Sequence, residues 1–472
     1  MLSSLHESCG VFGIYAPGED IARITFFGLF ALQHRGQESA GIASWDGDKI
    51  QIHTHMGLVA QAFTEHELKH LGGDYAIGHT RYSTTGSSKA ENAQPLLVQG
   101  LWGELALAHN GNLINAKELR DDLQAEGMTF RTSTDSEVIA QVFANAPGKD
   151  WFERARYAMR LLKGAYSLTI LTREGLMAVR DPLGVRPLCI GTINGGWVFA
   201  SESCALDHIG AKLVRQVEPG EVVLVNQDGI QGKQVVEPER RAACAFEFIY
   251  FARPDSQLDG KLLYPARMAM GAELAKEHPV EADIVIGIPD SATAAAIGYS
   301  QASGILFSEG LLKNRYVGRT FIQPDQRLRD MGVRLKFNPM REVLEGKRVI
   351  VVDDSIVRGT TTPHVVSLLR RAGAKEVHLR ICAPPIVSPC HFGVDMATKA
   401  ELIAAHHSVD EIRQKVGADS LGYLSIPGLI RAIGLPEQQF CLACFTGKYP
   451  IPVQLEMDKL ALEVEAAAPH RR

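Results

Sequence analysis

The sequence predicts an α/β chain with two unlike halves, and three features carry that prediction. Residues 9 to about 235 show short alternating or apolar runs broken by Gly and Asn (YAIGHTRYSTTG, LALAHNGNLINA, YSLTILTREGLMAVR, GGWVFASES). Helical stretches such as SEVIAQVFANA interrupt them, which is the pattern of layered antiparallel sheets with helices. From about 260, apolar runs (DIVIGIP, GILFSEG, RVIVVDD, VHLRICAPP) alternate with helical segments (SATAAAIGYSQAS, TPHVVSLLRRAGA), as in a parallel sheet. Between the halves lies NQDGIQGKQVVEPERRAA, polar and turn-rich. We therefore expect a first domain over 9–235, a linker over 236–259, a second domain over 260–450 and a tail helix over 451–472 that frays.

Bulk properties fit this division. At roughly 150 residues per domain, 472 residues make two or three domains, each able to bury a core. With 46% hydrophobic and 22% charged residues the balance is that of a globular chain. A net charge of -5 gives no general attraction to nucleic acid. No apolar run approaches the ~20 residues of a membrane helix, and MLSSLHES lacks the apolar core of a secretion signal. A cytoplasmic protein is expected, with no membrane partner. Eight cysteines are too few for a disulfide scaffold and point to chemistry or metal at some of them.

In the first half, CGVFGIY places Cys9 near the start. One reading is a small buried thiol. The other is a nucleophile: if the leader 1–8 is removed, the α-amino group of Cys9, which ordinarily titrates at about 7.7 to 8.0, acts as base for the thiol beside it. LQHRGQESAGIA, GHTRYSTTG, NAQPL, AHNGNL and STDSEV follow in order within about 130 residues. Together with CGVFGIY they resemble the N-terminal-nucleophile glutamine amidotransferase domain, which implies an αββα glutaminase fold. On that resemblance Cys9 attacks the glutamine amide and forms a thioester. The Asn110 side chain and the Gly111 backbone N–H supply the oxyanion donors. Arg81 grips the substrate carboxylate and Asp135 its α-amino group, while Arg35 supports the site. Alone, Arg81 reads as a surface arginine and Asp135 as a helix cap.

In the second half, RVIVVDDSIVRGTTT (348–362) is the informative stretch. RVIVV is a strand, Asp353 and Asp354 stand at its C-terminal end, and a helix follows with Pro363 at its start and Gly373 at its stop. Ligands of parallel sheets sit at such ends. Free N–H groups, Gly359 and the hydroxyls of Thr360, Thr361 and Thr362 suit a phosphate. The two carboxylates repel a phosphate and need other partners, sugar hydroxyls or a divalent cation.

This block resembles the phosphoribosyl-pyrophosphate (PRPP) signature of type I phosphoribosyltransferases. On the resemblance Asp353 and Asp354 hold ribose hydroxyls and the metal shell, and Ser355 through Thr362, with Arg358 and Gly359, hold the 5-phosphate. Asp290 and Ser291 in IPDSATAAA match the family's pyrophosphate and Mg²⁺ site, and an ordinary capped helix is the alternative there. Mg²⁺ is expected because a leaving pyrophosphate develops charge that a hard cation neutralises; Ser291, Asp353 and Asp354 are its expected neighbours. Residues 313–337 carry seven Lys or Arg against two Asp. They form either a solvated surface or, as the family implies, a lid that excludes water, with Arg319 or Lys336 reaching phosphate.

Over nearly its whole length the chain thus resembles the glutamine PRPP amidotransferases (amidophosphoribosyltransferases). The implied reaction is PRPP, glutamine and water giving 5-phosphoribosylamine, glutamate and pyrophosphate, the first committed step of purine synthesis. The family also implies feedback inhibition by purine nucleotides and a homotetramer. Cys244, Cys390, Cys441 and Cys444 give four thiolates, enough for zinc or a [4Fe–4S] cluster. The family's iron–sulfur subgroup, which also has the cleaved leader, carries cysteines in these contexts, so the cluster is the expectation. Cys189, Cys204 and Cys382 read as packing residues. Two rival functions remain in view. Other glutamine amidotransferases share the first half, but the DDSIVRGTTT loop speaks against them. A PRPP-sensing regulator has no need of Cys9 and its surroundings.

Overall fold

The computed structural model describes residues 9–82, 86–314, 337–396, 398–453 and 462–463. In the first half, strand Gly10–Tyr15 lies inside a seven-stranded antiparallel sheet, between Tyr75–Arg81 and Gly196–Ala200. Its period of two sorts its side chains. Val11 faces a core shared with Ala106, Ala108, Leu171 and Val223 of a second, six-stranded antiparallel sheet. Phe12 and Ile14 face the other way, onto helix Ile21–Ala31. The outer face of the second sheet is covered by helices Asp135–Asn145 and Trp151–Leu161, through Val138, Phe143 and Trp151. Helix, sheet, sheet and helix are thus stacked in four layers. Each fully buried Leu, Ile, Val or Phe in them contributes about 1.5–3 kcal/mol.

The second half has a parallel sheet in the order Ile284–Gly287, Arg348–Asp353, Glu376–Ile381, Ser420–Tyr423. A parallel bridge from Val285 to Phe307 adds a segment outside the first of these. Chain order therefore reverses direction between Ile284–Gly287 and Arg348–Asp353, and a crevice opens beyond the C-terminal ends of strands at such a switch point. Helices Leu263–Glu277, Thr293–Ser303 and Thr362–Arg371 flank the sheet. Strand Ser420–Tyr423 escaped the sequence reading because its residues, SLGY, form no continuous apolar run of the kind that marks Ile284–Gly287.

Within the linker expected over 236–259, residues 242–252 are not a loose connection. AACAFEFIYFA is buried except for Tyr250, which is half-buried, and includes a one-turn π-helical segment, Glu247–Phe251. Phe246, Phe248 and Phe251 share one core with Ala165, Leu183 and Val185 of the first half and Phe392 and Phe445 of the second. The polarity that marked the boundary stops at Arg241. Of the expected tail helix over 451–472, only 451–453 and 462–463 belong to the described residues. Leu462 is buried against the outer helical layer of the first half, and the Glu463 carboxylate accepts hydrogen bonds from the Ser87 amide (2.8 Å), the Ser133 hydroxyl (3.0 Å) and Lys89 (3.2 Å).

Candidate active sites

Cys9 immediately precedes strand Gly10–Tyr15, beside the end of strand Tyr75–Arg81. It is 7% exposed. Its thiol donates to the Tyr82 carbonyl (3.2 Å) and accepts from the Tyr82 amide (3.4 Å). Burial pushes the thiol pKa up, against the pull of the Tyr82 hydrogen bond and the Arg81 charge. An attacking thiolate here therefore needs a base. The leader 1–8 lies outside the described residues.

Asn110 and Gly111 lie on strand Gly103–Leu113 of the second sheet. Asn110 is fully buried, and among the described residues neither its Nδ2 nor its Oδ1 has a hydrogen-bond partner. Buried amides are ordinarily paired, so an orphan calls for a functional reason. Gly111 has φ +150°, and a Cβ there would collide with the Ala165 carbonyl, so the position requires glycine. Arg81 is buried, with its guanidinium 3.4 Å from both Glu38 and the Ser87 carbonyl. Asp135 opens its helix after Thr134 and accepts from the Leu113 amide at 2.9 Å. It stands 4.0 Å from His109, whose ring burial pulls down in pKa against the charge of Asp135. The Arg81 cation and the Asp135 carboxylate thus both act on the buried Cys9 thiol, and Asn110 lies on the strand whose Leu113 amide binds Asp135.

Arg35 proves more central than a supporting role implied. Its Nε donates to the Cys9 carbonyl (3.1 Å), and its remaining nitrogens bind Glu202 and Glu247. Glu202 also accepts from His34 (2.7 Å), the Ser256 hydroxyl (2.6 Å) and the Arg253 amide (2.8 Å). Arg186 reaches Glu247 (3.0 Å) and the Phe392 carbonyl (2.9 Å). Sequence reasoning missed Glu202, Glu247 and Arg186. Only an acid inside the apolar run AFEFIYF was there to flag Glu247.

The two halves meet beside the thiol. Tyr82 donates its hydroxyl to Asp395 (3.2 Å), and the Asn112 amide reaches the His391 carbonyl (3.1 Å). Gly393 packs directly on the Gly111 backbone.

In the second half Asp353 ends its strand and Asp354 follows it, with the Asp354 amide donating to the Asp353 carboxylate (2.9 Å). Asp354 is buried, and burial raises its carboxyl pKa against the hydroxyls of Ser355 and Ser291 and the charge of Arg267. Ser291 therefore joins Asp354 across the switch point. Asp290 is exposed and pairs with Lys313 (3.2 Å).

Around the loop, Gly359 takes φ +67°, where a Cβ would strike Ile403. The Thr361 hydroxyl is buried without a partner among the described residues, at the N-terminal end of helix Thr362–Arg371, and Thr362 is buried within its first turn. Thr360 lies exposed between Gly359 and Thr361. Arg358 turns from the loop to bind Glu401 and the Asp395 carbonyl (3.4 Å). The expected lid is described only at its base, where Leu311–Lys313 pairs antiparallel with Phe337–Pro339. Arg319 and Lys336 lie outside the described residues.

The four cysteines of the expected cluster gather at the join. Cys244 and Cys441 face each other on parallel strands, and the Cys444 carbonyl accepts from Val387 and Ser388, near Cys390. All are free thiols. Burial raises the pKa of Cys444 and Cys441, the latter to about 12, and the charges of the neighbouring thiolates raise them further. Among the described residues no three His, Cys, Asp or Glu converge on one metal-ion position. A [4Fe–4S] cluster takes one thiolate per iron around a larger body, and a group of four thiols, Cys244 buried and Cys390, Cys441 and Cys444 half-buried, fits that demand. Cys189, Cys204 and Cys382 are buried, and burial pushes each thiol far up. No helix among the described residues is long and apolar enough to cross a membrane.

Comparison with known proteins gives concordant matches. The glutamine amidotransferase domain family matches residues 79–208. The amidophosphoribosyltransferase of Synechocystis sp. is 54% identical, covering 97% of this chain and 94% of that protein. The amidophosphoribosyltransferase of Bacillus subtilis is 49% identical, covering 96% of each. The structure of glutamine PRPP amidotransferase from B. subtilis complexed with ADP and GMP superposes with a TM-score of 0.90 at 48% identity, over 96% of this chain and all of that one.

Proposed function

The chain belongs to the amidophosphoribosyltransferases and, as a glutamine-dependent enzyme, makes 5-phosphoribosylamine from PRPP and glutamine at the entry to purine biosynthesis; from that premise we propose how its residues divide the work. Cys9 attacks the amide carbon of glutamine and forms a thioester. The Asn110 amide and the Gly111 N–H hold the oxyanion, ammonia leaves, and water releases glutamate. Arg81 and Asp135 hold the substrate's carboxylate and amino group, and removal of residues 1–8 frees the α-amine that serves as base. Ammonia then attacks C1 of PRPP and pyrophosphate departs. Asp353 and Asp354 take the ribose hydroxyls, while Ser355 to Thr362 cradle the 5-phosphate. Asp290 and Ser291 serve the pyrophosphate, and Arg319 or Lys336 reaches phosphate.

Mg²⁺ beside Ser291, Asp353 and Asp354 would neutralise charge on the leaving group. A [4Fe–4S] cluster on Cys244, Cys390, Cys441 and Cys444 would tie the halves together. Arg358 has two roles open to it, phosphate contact or, as its pairing with Glu401 favours, shaping of the loop. Purine nucleotides as feedback inhibitors, a homotetramer and a cytoplasmic setting complete the reading. Nucleotide control draws support from the relative solved with ADP and GMP.

The observation that carries the assignment is the orphaned, fully buried Asn110 amide on the strand whose Leu113 amide binds Asp135, while Asp135 and Arg81 both act on the Cys9 thiol. The test uses glutamine labelled with ¹⁵N at the amide. Labelled phosphoribosylamine and one pyrophosphate per glutamate are expected, and glutamate without pyrophosphate would refute the coupling of the two sites.

A further inference from the structure

Glu247 sits at the centre of a buried charge network that the reaction steps above do not use. Its Oε1 accepts from Arg35 Nη2 (2.8 Å) and from Arg186 Nη1 (3.0 Å), and its Oε2 from Arg35 Nη1 (3.1 Å). Arg35 in turn fixes the Cys9 carbonyl through Nε (3.1 Å). Arg186 fixes the Phe392 carbonyl through both Nε (3.1 Å) and Nη2 (2.9 Å). That carbonyl follows Cys390, whose sulfur accepts from the Phe392 amide (3.4 Å). Arg35, Arg186 and Glu247 are all nearly fully buried. In this setting hydrogen-bonded charges have few alternative arrangements, and displacing one strands another.

We propose that Glu247 is a positioning residue for Cys9, holding the nucleophile's backbone and the 390–392 backbone to one carboxylate. The inference rests on the reading of Cys9 as the nucleophile. It follows from connectivity: Arg35 holds the Cys9 carbonyl, Arg186 holds the Phe392 carbonyl, and Glu247 is a carboxylate that both arginines engage. A nucleophile held at its carbonyl keeps its thiol aligned to the oxyanion donors, and small misplacements of reacting groups have large effects on rate. Substrate affinity should be spared, because Arg81 and Asp135 lie outside these contacts.

The test compares E247Q with the charge-balanced double variant R186M/E247Q, which removes one positive and one negative charge and leaves the Arg35–Glu202 pair in place. The expected result is a fall of roughly ten- to a hundredfold in glutaminase kcat. The KM for glutamine should stay within about twofold and ammonia-dependent synthesis should persist, because only the alignment of Cys9 is lost. Amide hydrogen exchange at 390–392 should rise in the same variant. A folded variant of either kind with kcat within about twofold of the parent overturns the proposal. C9A run alongside separates the two claims. Glutamine turnover surviving in C9A removes the nucleophile assignment itself, whereas parent-like rates in E247Q with a dead C9A remove only the role of Glu247.

Discussion

Replacing Asn110 by Leu, of similar size, is expected to push activity and stability in opposite directions. The Asn110 amide is fully buried and unpaired among the described residues. An unsatisfied buried polar group costs about 1–3 kcal/mol, so exchanging it for an apolar group of similar shape should leave stability unchanged or raise it by up to that amount. The same exchange removes an oxyanion donor, worth about 2.7–4 kcal/mol or a factor of 10²–10³ in kcat. The neighbouring Gly111 N–H remains and keeps some residual turnover. The assay follows glutamate release, ammonia-dependent synthesis and denaturant unfolding on one preparation. N110L should lose glutaminase kcat by that factor, keep ammonia-dependent synthesis, and unfold no earlier than the parent. A loss under tenfold, or an equal loss in both activities, would refute the placement of Asn110 at the oxyanion.

Other expectations follow from the same geometry. D354N should abolish synthesis from both nitrogen sources while the protein still folds, since it removes a buried carboxylate aimed at the switch point; unchanged synthesis with ammonia would exclude Asp354 from the PRPP site. E463A should raise the KM for glutamine, because Glu463 holds the amide of Ser87, whose carbonyl meets Arg81. Hydrogen bonds from Ser87, Ser133 and Lys89 hold the Glu463 carboxyl down to about 2. Its depressed pKa means the contact contributes above the unfolded value of about 4.3 and is lost as pH falls towards 2, so the KM difference between parent and variant should be constant from pH 6 to 9. Burial pulls His79 down to about 3. The unfolded chain therefore takes up a proton below about 6.5 that the folded chain refuses, and stability should fall by up to about 1.4 kcal/mol per pH unit from there towards 3. H79Q should flatten that limb, and an unchanged slope would contradict the burial of His79. Iron and sulfide analysis of anaerobically prepared protein should find a cluster; a stable, active preparation with neither would exclude it.

Much of this architecture was legible because short-range chemistry wrote it. RVIVV announces a buried parallel strand, Pro363 and Gly373 bracket the following helix, and the Asp pair marks the strand end. The run YSLTILTREGLMAVR reads as sheet, and it forms the paired strands Gly164–Thr172 and Gly175–Arg180. What escaped depends on contacts between residues far apart in the chain. Glu202, Glu247 and Arg186 acquire meaning only when residues 35, 186, 202 and 247 meet, and no local spacing encodes that meeting. The packing of 242–252 escaped because the polar run that signals a boundary ends before the apolar segment that cements the halves. Arg358 stood in the phosphate loop by position, but its partner Glu401 lies 43 residues away.

The central claim is that nitrogen released at Cys9 is captured at the sugar held beside Asp353 and Asp354. Pyrophosphate release by C9A, measured with glutamine and then with ammonia at saturating PRPP, tests it most directly. The account predicts no release with glutamine and parent-like release with ammonia. Release of pyrophosphate from C9A at the parent rate with glutamine as sole nitrogen source would contradict it.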